Sequence, residues 1–273
     1  MGRIVFIGGG NMGRALIGGL IAQGRDPSTI DVVEIDAGAR QRLVRESSVR
    51  AVASPADADI RGAEAIVIAV KPQGMRDTAK SIAPHLTTAL VISIAAGIRL
   101  RDLSRWLGDY PQLVRAMPNT PALIRRGITG LFAEDDVSAD HRTLAGSMLG
   151  AVGETIWCDR ETQIDAITAV SGSGPAYLFY FLESMIASAE ALGFTAGEAR
   201  RLAYATASGA MALAESSSEP PSTLRAQVTS KKGTTQAALE SLEASGVKAA
   251  FVEAVKSADA RARELGDELG RDG

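Results

Sequence analysis

The chain has 273 residues, of which 46% are hydrophobic and 22% charged, a composition typical of globular proteins with about two domains. A formal net charge of −3 and an aromatic content of 4% argue against nucleic-acid binding, which relies on basic fields or stacking rings. One cysteine and two histidines exclude an internal disulfide and a Cys/His zinc site, so we expect no metal.

The first part of the chain alternates strand-like and helix-like segments. Short apolar runs at 4–7, 30–34, 49–52, 65–70 and 90–94 read as strands, and helical patterns follow the first two at 11–23 and 39–45. The last two runs are apolar throughout, as strands covered on both faces are. We therefore predict an α/β domain with a parallel sheet, a Rossmann-type dinucleotide-binding domain over residues 1–160.

From residue 161 the strand signals disappear and alanine and leucine dominate. Thr195 and Glu198 form a Thr-x-x-Glu capping box that opens a helix toward residue 214. Further helical segments follow at 224–228 and 234–244 and from residue 247 onward. The second part, residues 161–273, is therefore predicted to be an all-helical domain.

A glycine-rich turn lies between the first strand and the first helix. Gly8, Gly10 and Gly13 match Gly-x-Gly-x-x-Gly in the context that supports dinucleotide binding, a strand before and a helix after. We expect the backbone from Gly8 to Gly13, including Asn11 and Met12, to hold a pyrophosphate on unpaired N–H groups.

An acidic residue is expected at the end of the second strand, about 20 positions after the glycines. Glu34 and Asp36 both fit, and a carboxylate there favours NADH over NADPH. Arg40 and Arg42 follow closely and are placed to reach a 2′-phosphate, so the cofactor prediction is NADPH or NADH. Alternatively, Asp36 caps the next helix.

Two later strand ends also carry signals. Val70, Lys71 and Pro72 follow one apolar strand, and Ala95 and Ala96 follow the next. Because ligands of open α/β sheets bind beyond the carboxyl ends of the strands, we expect both segments to face the cofactor. For Lys71 the alternative is a solvated loop residue.

Six segments in order resemble the pyrroline-5-carboxylate reductase family. They are 8–13, 69–73 and 93–97, then Arg-Ala-Met-Pro-Asn-Thr-Pro at 115–121, Ser-Gly-Ser-Gly-Pro-Ala-Tyr at 171–177 and Val-Thr-Ser-Lys-Lys-Gly-Thr-Thr at 228–235. The resemblance implies a reductase that passes hydride from NADPH or NADH to a cyclic imine, giving L-proline. It also implies a helical dimerisation domain that builds a homodimer or a ring of dimers, with the active site where the nucleotide domain meets helices of both subunits.

The resemblance further implies which residues act. Gly233, Thr234 and Thr235 hold the substrate carboxylate, the Thr235 hydroxyl bonds the ring nitrogen, and Ser230 supports the turn. Glu161 is implied near the substrate, and Met117, Asn119 and Gln227 near the cofactor. The local chemistry agrees, because a carboxylate binds well on N–H groups at a helix start. The alternative is that Thr234 or Thr235 is an ordinary N-cap.

The substrate turn departs from the family pattern. The family usually reads Ser-Pro-Gly-Gly where this chain reads Ser230-Lys231-Lys232-Gly233, and the loss of a proline and a glycine is expected to cost the turn about 1 kcal/mol or more. The altered turn favours one alternative function, a non-catalytic nucleotide sensor. The other alternative, a hydroxy-acid dehydrogenase, normally places a lysine on the interdomain helix, and residues 161–192 contain none.

The N-terminus passes directly into a strand without a signal-peptide layout. The longest apolar run, 89–98, is too short to span a bilayer. We expect a cytoplasmic protein whose partners are small molecules and its own copies.

Overall fold

In the computed structural model, residues 2–271 are described, and they form eight strands and eleven α-helices. The strands are β1 (Arg3–Ile7), β2 (Ile30–Val33), β3 (Arg50–Val52), β4 (Ala63–Ile68), β5 (Leu90–Ser93), β6 (Leu113–Met117), β7 (Gly127–Phe132) and β8 (Gly153–Trp157). The helices are α1 (Asn11–Ala22), α2 (Ala37–Ser47), α3 (Met75–Ile82), α4 (Leu100–Trp106), α5 (Ala139–Gly150), α6 (Thr162–Ile167), α7 (Gly174–Ala191), α8 (Ala196–Glu215), α9 (Pro221–Gln227), α10 (Thr234–Ala244) and α11 (Val247–Gly270).

All eight strands form one sheet in the order β3-β2-β1-β4-β5-β6-β7-β8. The six strands from β3 to β6 are parallel, so the predicted parallel sheet is confirmed for this part. The chain reverses its direction of travel across the sheet between β1 and β4. In open α/β sheets, ligands bind in the crevice at this switch point.

Both faces of the sheet are covered. Along β1, Ile4 and Phe6 pack into one apolar cluster with side chains of α1, α2 and α5, whereas Val5 and Ile7 pack into a second cluster with side chains of α3, α4 and α6. All four side chains are at most 4% exposed. The uninterrupted apolar sequence of β1 follows from this two-sided burial.

The last two strands run against the others. β7 pairs antiparallel with β6 and parallel with β8, at an edge of the sheet for which the sequence predicted no strands. Residues 118–126, which join β6 to β7, hold only one short 3-10 turn. A parallel connection needs a dozen or more residues, usually with a helix, so this link returns the chain antiparallel.

The contact pattern divides the chain into two compact units. One comprises the residues up to Ser173 together with those from Ala258 onward, and the other is Gly174–Ser257. The C-terminal part of α11 therefore belongs to the same unit as the sheet. The boundary predicted at residues 160 and 161 marks a change in residue pattern, and as a functional boundary it stays a prediction.

The unit of Gly174–Ser257 is entirely helical, as expected for this region. The predicted capping box opens α8: the amide of Glu198 donates to the Thr195 hydroxyl, and the amide of Thr195 donates to the Glu198 carboxylate (3.0 Å). Large apolar side chains of this unit are exposed on the single chain, among them Phe179, Tyr180 and Leu192. Within residues 2–271, no helix has both the length and the apolar character that a bilayer crossing requires.

Candidate active site

Two glycines of the predicted nucleotide-binding turn are fixed by close backbone packing. Gly8 has φ +102° and its amide donates to the carbonyl of Val33 (2.8 Å), which extends the sheet beyond β1. A Cβ on Gly8 would lie 2.7 Å from the carbonyl oxygen of Ala69, and a Cβ on Gly13 would lie 2.7 Å from that of Gly8. Any larger residue would therefore push β1, β4 and α1 apart.

Gly10 is open to a ligand instead. It is the N-cap of α1, it is exposed, and a Cβ there would meet nothing within 4 Å. No side chain caps this helix start and no acidic residue occupies its first turn. Unpaired amides at a helix start bind anions, so the turn fits a pyrophosphate. Asn11 is exposed, whereas Met12 packs against the core and leaves its backbone for a ligand.

A cleft of about 580 Å³ lies beyond the carboxyl ends of β1, β2 and β4. Its lining includes the predicted residues Gly8, Gly10, Glu34, Val70 and Lys71, so the structure brings these five together. A polar face of α3 was not predicted from the sequence: Asp77, Thr78 and Ser81 line the same wall, next to the helix N-cap Gly74. The spacing of these residues by three and four along the chain is the signal that indicates them.

The two acidic candidates after β2 have different environments. Glu34 lines the cleft, and its Oε2 accepts from the amide of Gly9 (2.9 Å) while its Oε1 accepts from the amide of Asp36 (3.0 Å). Asp36 caps α2 through its Oδ1, which accepts from the amide of Ala39 (2.6 Å). Asp36 is absent from the described lining of the cleft. Glu34 is therefore the carboxylate that faces the cleft, and its contact with a ribose stays a prediction.

The segments after β4 and β5 differ in access. Val70 is half-buried and Lys71 is exposed at the rim, while Pro72 begins a short 3-10 turn that leads into α3. Ala95 is buried and Ala96 is half-buried. The two alanines and Pro72 lie outside the described lining, so their contact with a cofactor stays a prediction.

Met117 and Asn119 contact the segment after α6. Asn119 is 9% exposed; its Oδ1 accepts from the amide of Ile128 (3.0 Å) and its Nδ2 donates to the carbonyl of Ser171 (3.2 Å). Met117 Cε lies 2.7 Å from where a Gly172 Cβ would stand. Thr168–Gly172 form a π-helical turn, a feature frequent at functional sites. The side chain of Asn119 thus binds backbone groups of Ile128 and Ser171. A contact of Met117 or Asn119 with a cofactor stays a prediction.

A buried ion network, unassigned from the sequence, lies under this region. Arg115 on β6 is 1% exposed; it donates to Asp165 (2.6 Å) and to Glu161 (3.1 Å) of the α6 segment. Glu161 also accepts from the amide of Leu100 at the start of α4 (2.8 Å). Glu161 is thus engaged by β6 and α4, and its predicted role toward the substrate stays a prediction.

The predicted substrate turn joins α9 to α10. The amide of Gly233 donates to the carbonyl of Ser230 (3.0 Å), which closes the turn, and Lys232 has φ +61°. A Cβ on Gly233 would collide with the Ser230 side chain, so Gly233 accommodates Ser230. The Gly233 amide is used by the turn, and the first helical bond runs from the Ala237 amide to the Gly233 carbonyl, so the amides left at this helix start are those of Thr234, Thr235 and Gln236.

The start of α10 is suited to an anion. Gly233 is its N-cap, and no side chain makes a cap hydrogen bond there. The alternative of an ordinary Thr N-cap does not apply, since Thr234 and Thr235 are the first two helical residues. Thr235 is half-buried, and Gln227 is exposed at the end of α9.

Two family models match this chain. One, described as pyrroline-5-carboxylate reductase dimerisation, matches residues 161–265, and the other, described as NADP oxidoreductase coenzyme F420-dependent, matches residues 3–97. A pyrroline-5-carboxylate reductase of Pseudomonas aeruginosa is 45% identical over 270 residues, which cover 98% of each chain. The chain belongs to the pyrroline-5-carboxylate reductase family.

Solved structures of the pyrroline-5-carboxylate reductase family show the same fold. The one from Coxiella burnetii has a TM-score of 0.91 at 39% identity and covers 97% of this chain and 98% of its own. A Plasmodium falciparum pyrroline carboxylate reductase with NADP bound has a TM-score of 0.86 at 26% identity, with the same coverage. The predicted family and fold class are therefore confirmed.

Proposed function

We propose that the protein reduces pyrroline-5-carboxylate to L-proline with NADH or NADPH. The observation that carries the proposal is the open start of α10, where Thr234 and Thr235 follow an N-cap glycine without a side-chain cap. Such a site fits a small carboxylate beside a hydroxyl. The likeness to named reductases extends over both units of the chain.

The cofactor part of the chemistry belongs to the unit that contains the sheet. A bound reduced nicotinamide supplies the hydride. The amides at the start of α1 hold the pyrophosphate, and Gly10 lets that backbone approach it closely. Glu34 accepts from ribose hydroxyls, and α3 closes the side of the cleft.

The substrate part belongs to the turn before α10. The amides of Thr234 and Thr235 donate to the substrate carboxylate. The Thr235 hydroxyl oxygen accepts from the protonated ring nitrogen, whose positive charge makes the imine carbon a better hydride acceptor. Since the imine takes its proton from water, the site needs no strong general acid. The protein contributes orientation, which accounts for large rate gains without acid–base groups.

The helical unit is proposed to pair with a second copy. Its exposed Phe179, Tyr180 and Leu192 belong to an apolar surface typical of protein interfaces, and the dimerisation model covers this unit. We infer a homodimer or a ring of dimers. A cytoplasmic location also stays a prediction.

Two measurements test the reductase. Oxidation of NADH and of NADPH is followed with pyrroline-5-carboxylate, first for the natural protein and then for Thr235→Val and Thr235→Ser. We expect turnover that falls in the valine variant and is largely kept in the serine variant, which retains the hydroxyl. Cofactor binding without turnover would instead support the nucleotide sensor. A hydroxy-acid dehydrogenase is disfavoured, because α7 carries no lysine.

A further inference from the structure

NADH and NADPH differ only in the 2′-phosphate on the adenosine ribose, so selection between them depends on the residues that follow β2. We propose that this protein selects NADH, because the Glu34 carboxylate is fixed in the ribose position and Arg40 is engaged by the backbone carbonyls of Glu34 and Ile35. The inference rests on the proposed function for the identity of the ligand. It names the cofactor that the same cleft takes.

The Glu34 carboxylate cannot leave the cleft without breaking two hydrogen bonds, those from the amides of Gly9 (2.9 Å) and Asp36 (3.0 Å). Hydrogen bonds to an ionised carboxylate are the strong kind. A carboxylate offers about four lone-pair positions, so two remain for ribose hydroxyls. The same fixed charge repels a 2′-phosphate.

Arg40 is the nearest candidate for a phosphate-binding cation, and the structure gives it another role. Its Nη1 donates to the carbonyl of Glu34 (2.7 Å) and to that of Ile35 (2.8 Å). Arg40 is half-buried and lies on α2, whose start is capped by Asp36. It therefore holds the strand end that carries Glu34, and a phosphate would have to compete with two carbonyls for its Nη1.

Ile35, the residue that follows Glu34, also favours NADH. Ile35 lines the cleft and is 88% exposed, so its apolar side chain is accessible to the face of an adenine. An NADPH-binding site commonly has an arginine nearby for the phosphate. Lys71 lies on the rim at the end of β4, and a cation there would serve the pyrophosphate that both cofactors share.

Arg42 is the cation on which a contrary arrangement would depend. It is exposed on α2, close to the helix start that Asp36 caps, with its Nη1 3.8 Å from where a Gly38 Cβ would stand. An NADPH-selective site would have to recruit Arg42 to a ribose site that already holds the Glu34 charge.

Binding, not turnover, tests the proposal. Dissociation constants are measured by calorimetry for NAD⁺ and NADP⁺, and for AMP and adenosine 2′,5′-bisphosphate as fragments, at one ionic strength. We expect the natural protein to bind the forms without a 2′-phosphate at least about tenfold more tightly, the scale of one screened charge repulsion. Glu34→Gln should shift the ratio toward NADP⁺ by a similar factor, and the double variant Glu34→Ser with Ile35→Arg should reverse it.

Three variants serve as controls. Glu46→Gln removes one negative charge from α2 outside the cleft, where Glu46 pairs with Arg14 (2.7 Å), and should leave the ratio unchanged. Asp36→Asn removes the second carboxylate but keeps a side chain that can cap α2. It therefore distinguishes the effect of Asp36 from that of Glu34. Arg42→Gln should not weaken NADP⁺ selectively.

The outcomes separate the two proposals. Tighter binding of NADP⁺ by the natural protein, or a ratio that follows Asp36 and not Glu34, would overturn the selection of NADH. Selective NAD⁺ binding without reduction of pyrroline-5-carboxylate would overturn the reductase alone. The fragment ratio of the natural protein decides the matter even where a variant fails to fold.

Discussion

Arg115 on β6 and Asp165 on α6 form an ion pair of 2.6 Å in which the two side chains are 1% and 4% exposed. Removing one partner of a buried pair leaves an uncompensated charge, which costs about 3–5 kcal/mol. Glu161 remains as a second partner for Arg115 (3.1 Å), so we expect Asp165→Asn to lower the free energy of unfolding by about 3 kcal/mol, at the low end of that range. Urea unfolding at fixed protein concentration measures it.

The pair Arg99–Asp267 is the matched control. Its atoms are 2.6 Å apart, but the side chains are 20% and 56% exposed. Asp267→Asn should therefore change the free energy of unfolding by about 1 kcal/mol or less. If both variants lost the same free energy of unfolding, the burial of Arg115 would not determine how strongly its ion pairs stabilise the fold.

The glycines before α1 separate folding from cofactor binding. Gly8→Ala places a Cβ 2.7 Å from the Ala69 carbonyl at φ +102°, and should destabilise the protein by at least about 2 kcal/mol. Gly10→Ala meets nothing within 4 Å but replaces a favourable N-cap glycine, so we expect a stability loss of about 1 kcal/mol or less and NADH binding weaker by roughly tenfold. Thermal unfolding and calorimetric titration of NADH test the two effects.

Gly18→Ala provides the reference for this series. Gly18 is exposed within α1 and an added Cβ meets nothing within 4 Å, so alanine should stabilise the helix by about 0.5–1 kcal/mol and leave NADH binding unchanged. If Gly10→Ala bound NADH like Gly18→Ala, the pyrophosphate would not approach the backbone at Gly10.

The sequence predicted the elements that local pattern controls. The helix at 234–244 begins and ends where α10 does, and the capping box of α8 was predicted from Thr195 and Glu198. Apolar runs located β1, β2, β4 and β5, because strands buried on both faces carry an uninterrupted apolar signal. The strand β7 was missed, since two of its six residues are glycines, Gly127 and Gly130.

What the sequence did not predict depends on contacts between distant segments. The partners of Arg115 lie 46 and 50 positions away along the chain, so its motif gave no indication of an ion network. Glu34 and Asp36 are two positions apart, and the pattern alone left both as ribose ligands, with capping of the next helix as the alternative for Asp36. The structure distinguishes them because the chain after Asp36 turns into α2, which takes the Asp36 side chain as its cap.

Acid should remove the stabilisation that the capping box gives to α8. Hydrogen bonds from the Thr195 hydroxyl, and then from the Thr195 amide, lower the pKa of Glu198 below its ordinary value of 4.5. A carboxyl whose pKa is lower in the folded state stabilises that state above the unfolded pKa and loses the effect as pH falls through the folded pKa. The stability difference between the natural protein and Glu198→Gln should thus be constant near neutral pH and decline below about pH 4.5.

A double-mutant cycle isolates this effect. In a Thr195→Val background both proteins lack the hydroxyl, the larger of the two causes of the lowered pKa, so the pH dependence of the Glu198→Gln difference should shrink to the part that the Thr195 amide supplies. Unfolding by urea is compared at about pH 7, 5 and 3, because these values bracket the ordinary pKa of a carboxyl group. A pH dependence of undiminished size without the hydroxyl would assign the effect to other groups.

Lys232 holds a backbone conformation that favours glycine. Its φ is +61°, at the third position of the turn that the Gly233 amide closes on the Ser230 carbonyl. A type II turn requires positive φ at this position and favours proline at the one before, which explains the Pro-Gly pair usual in the family. Lys232→Gly should raise the free energy of unfolding by about 1 kcal/mol, whereas Lys231→Gly should not raise it.

The same variants distinguish backbone strain from charge. Both lysines are exposed, so their attraction for a substrate carboxylate is largely screened at physiological salt. We therefore expect Lys232→Gly and Lys232→Asn, the latter uncharged but tolerant of positive φ, to leave KM for pyrroline-5-carboxylate within about threefold. A KM that rises in both variants, and rises for the natural protein as salt is added, would instead show that the lysine charge holds the substrate. The lysines would then compensate by electrostatics for the strain that they bring to the turn.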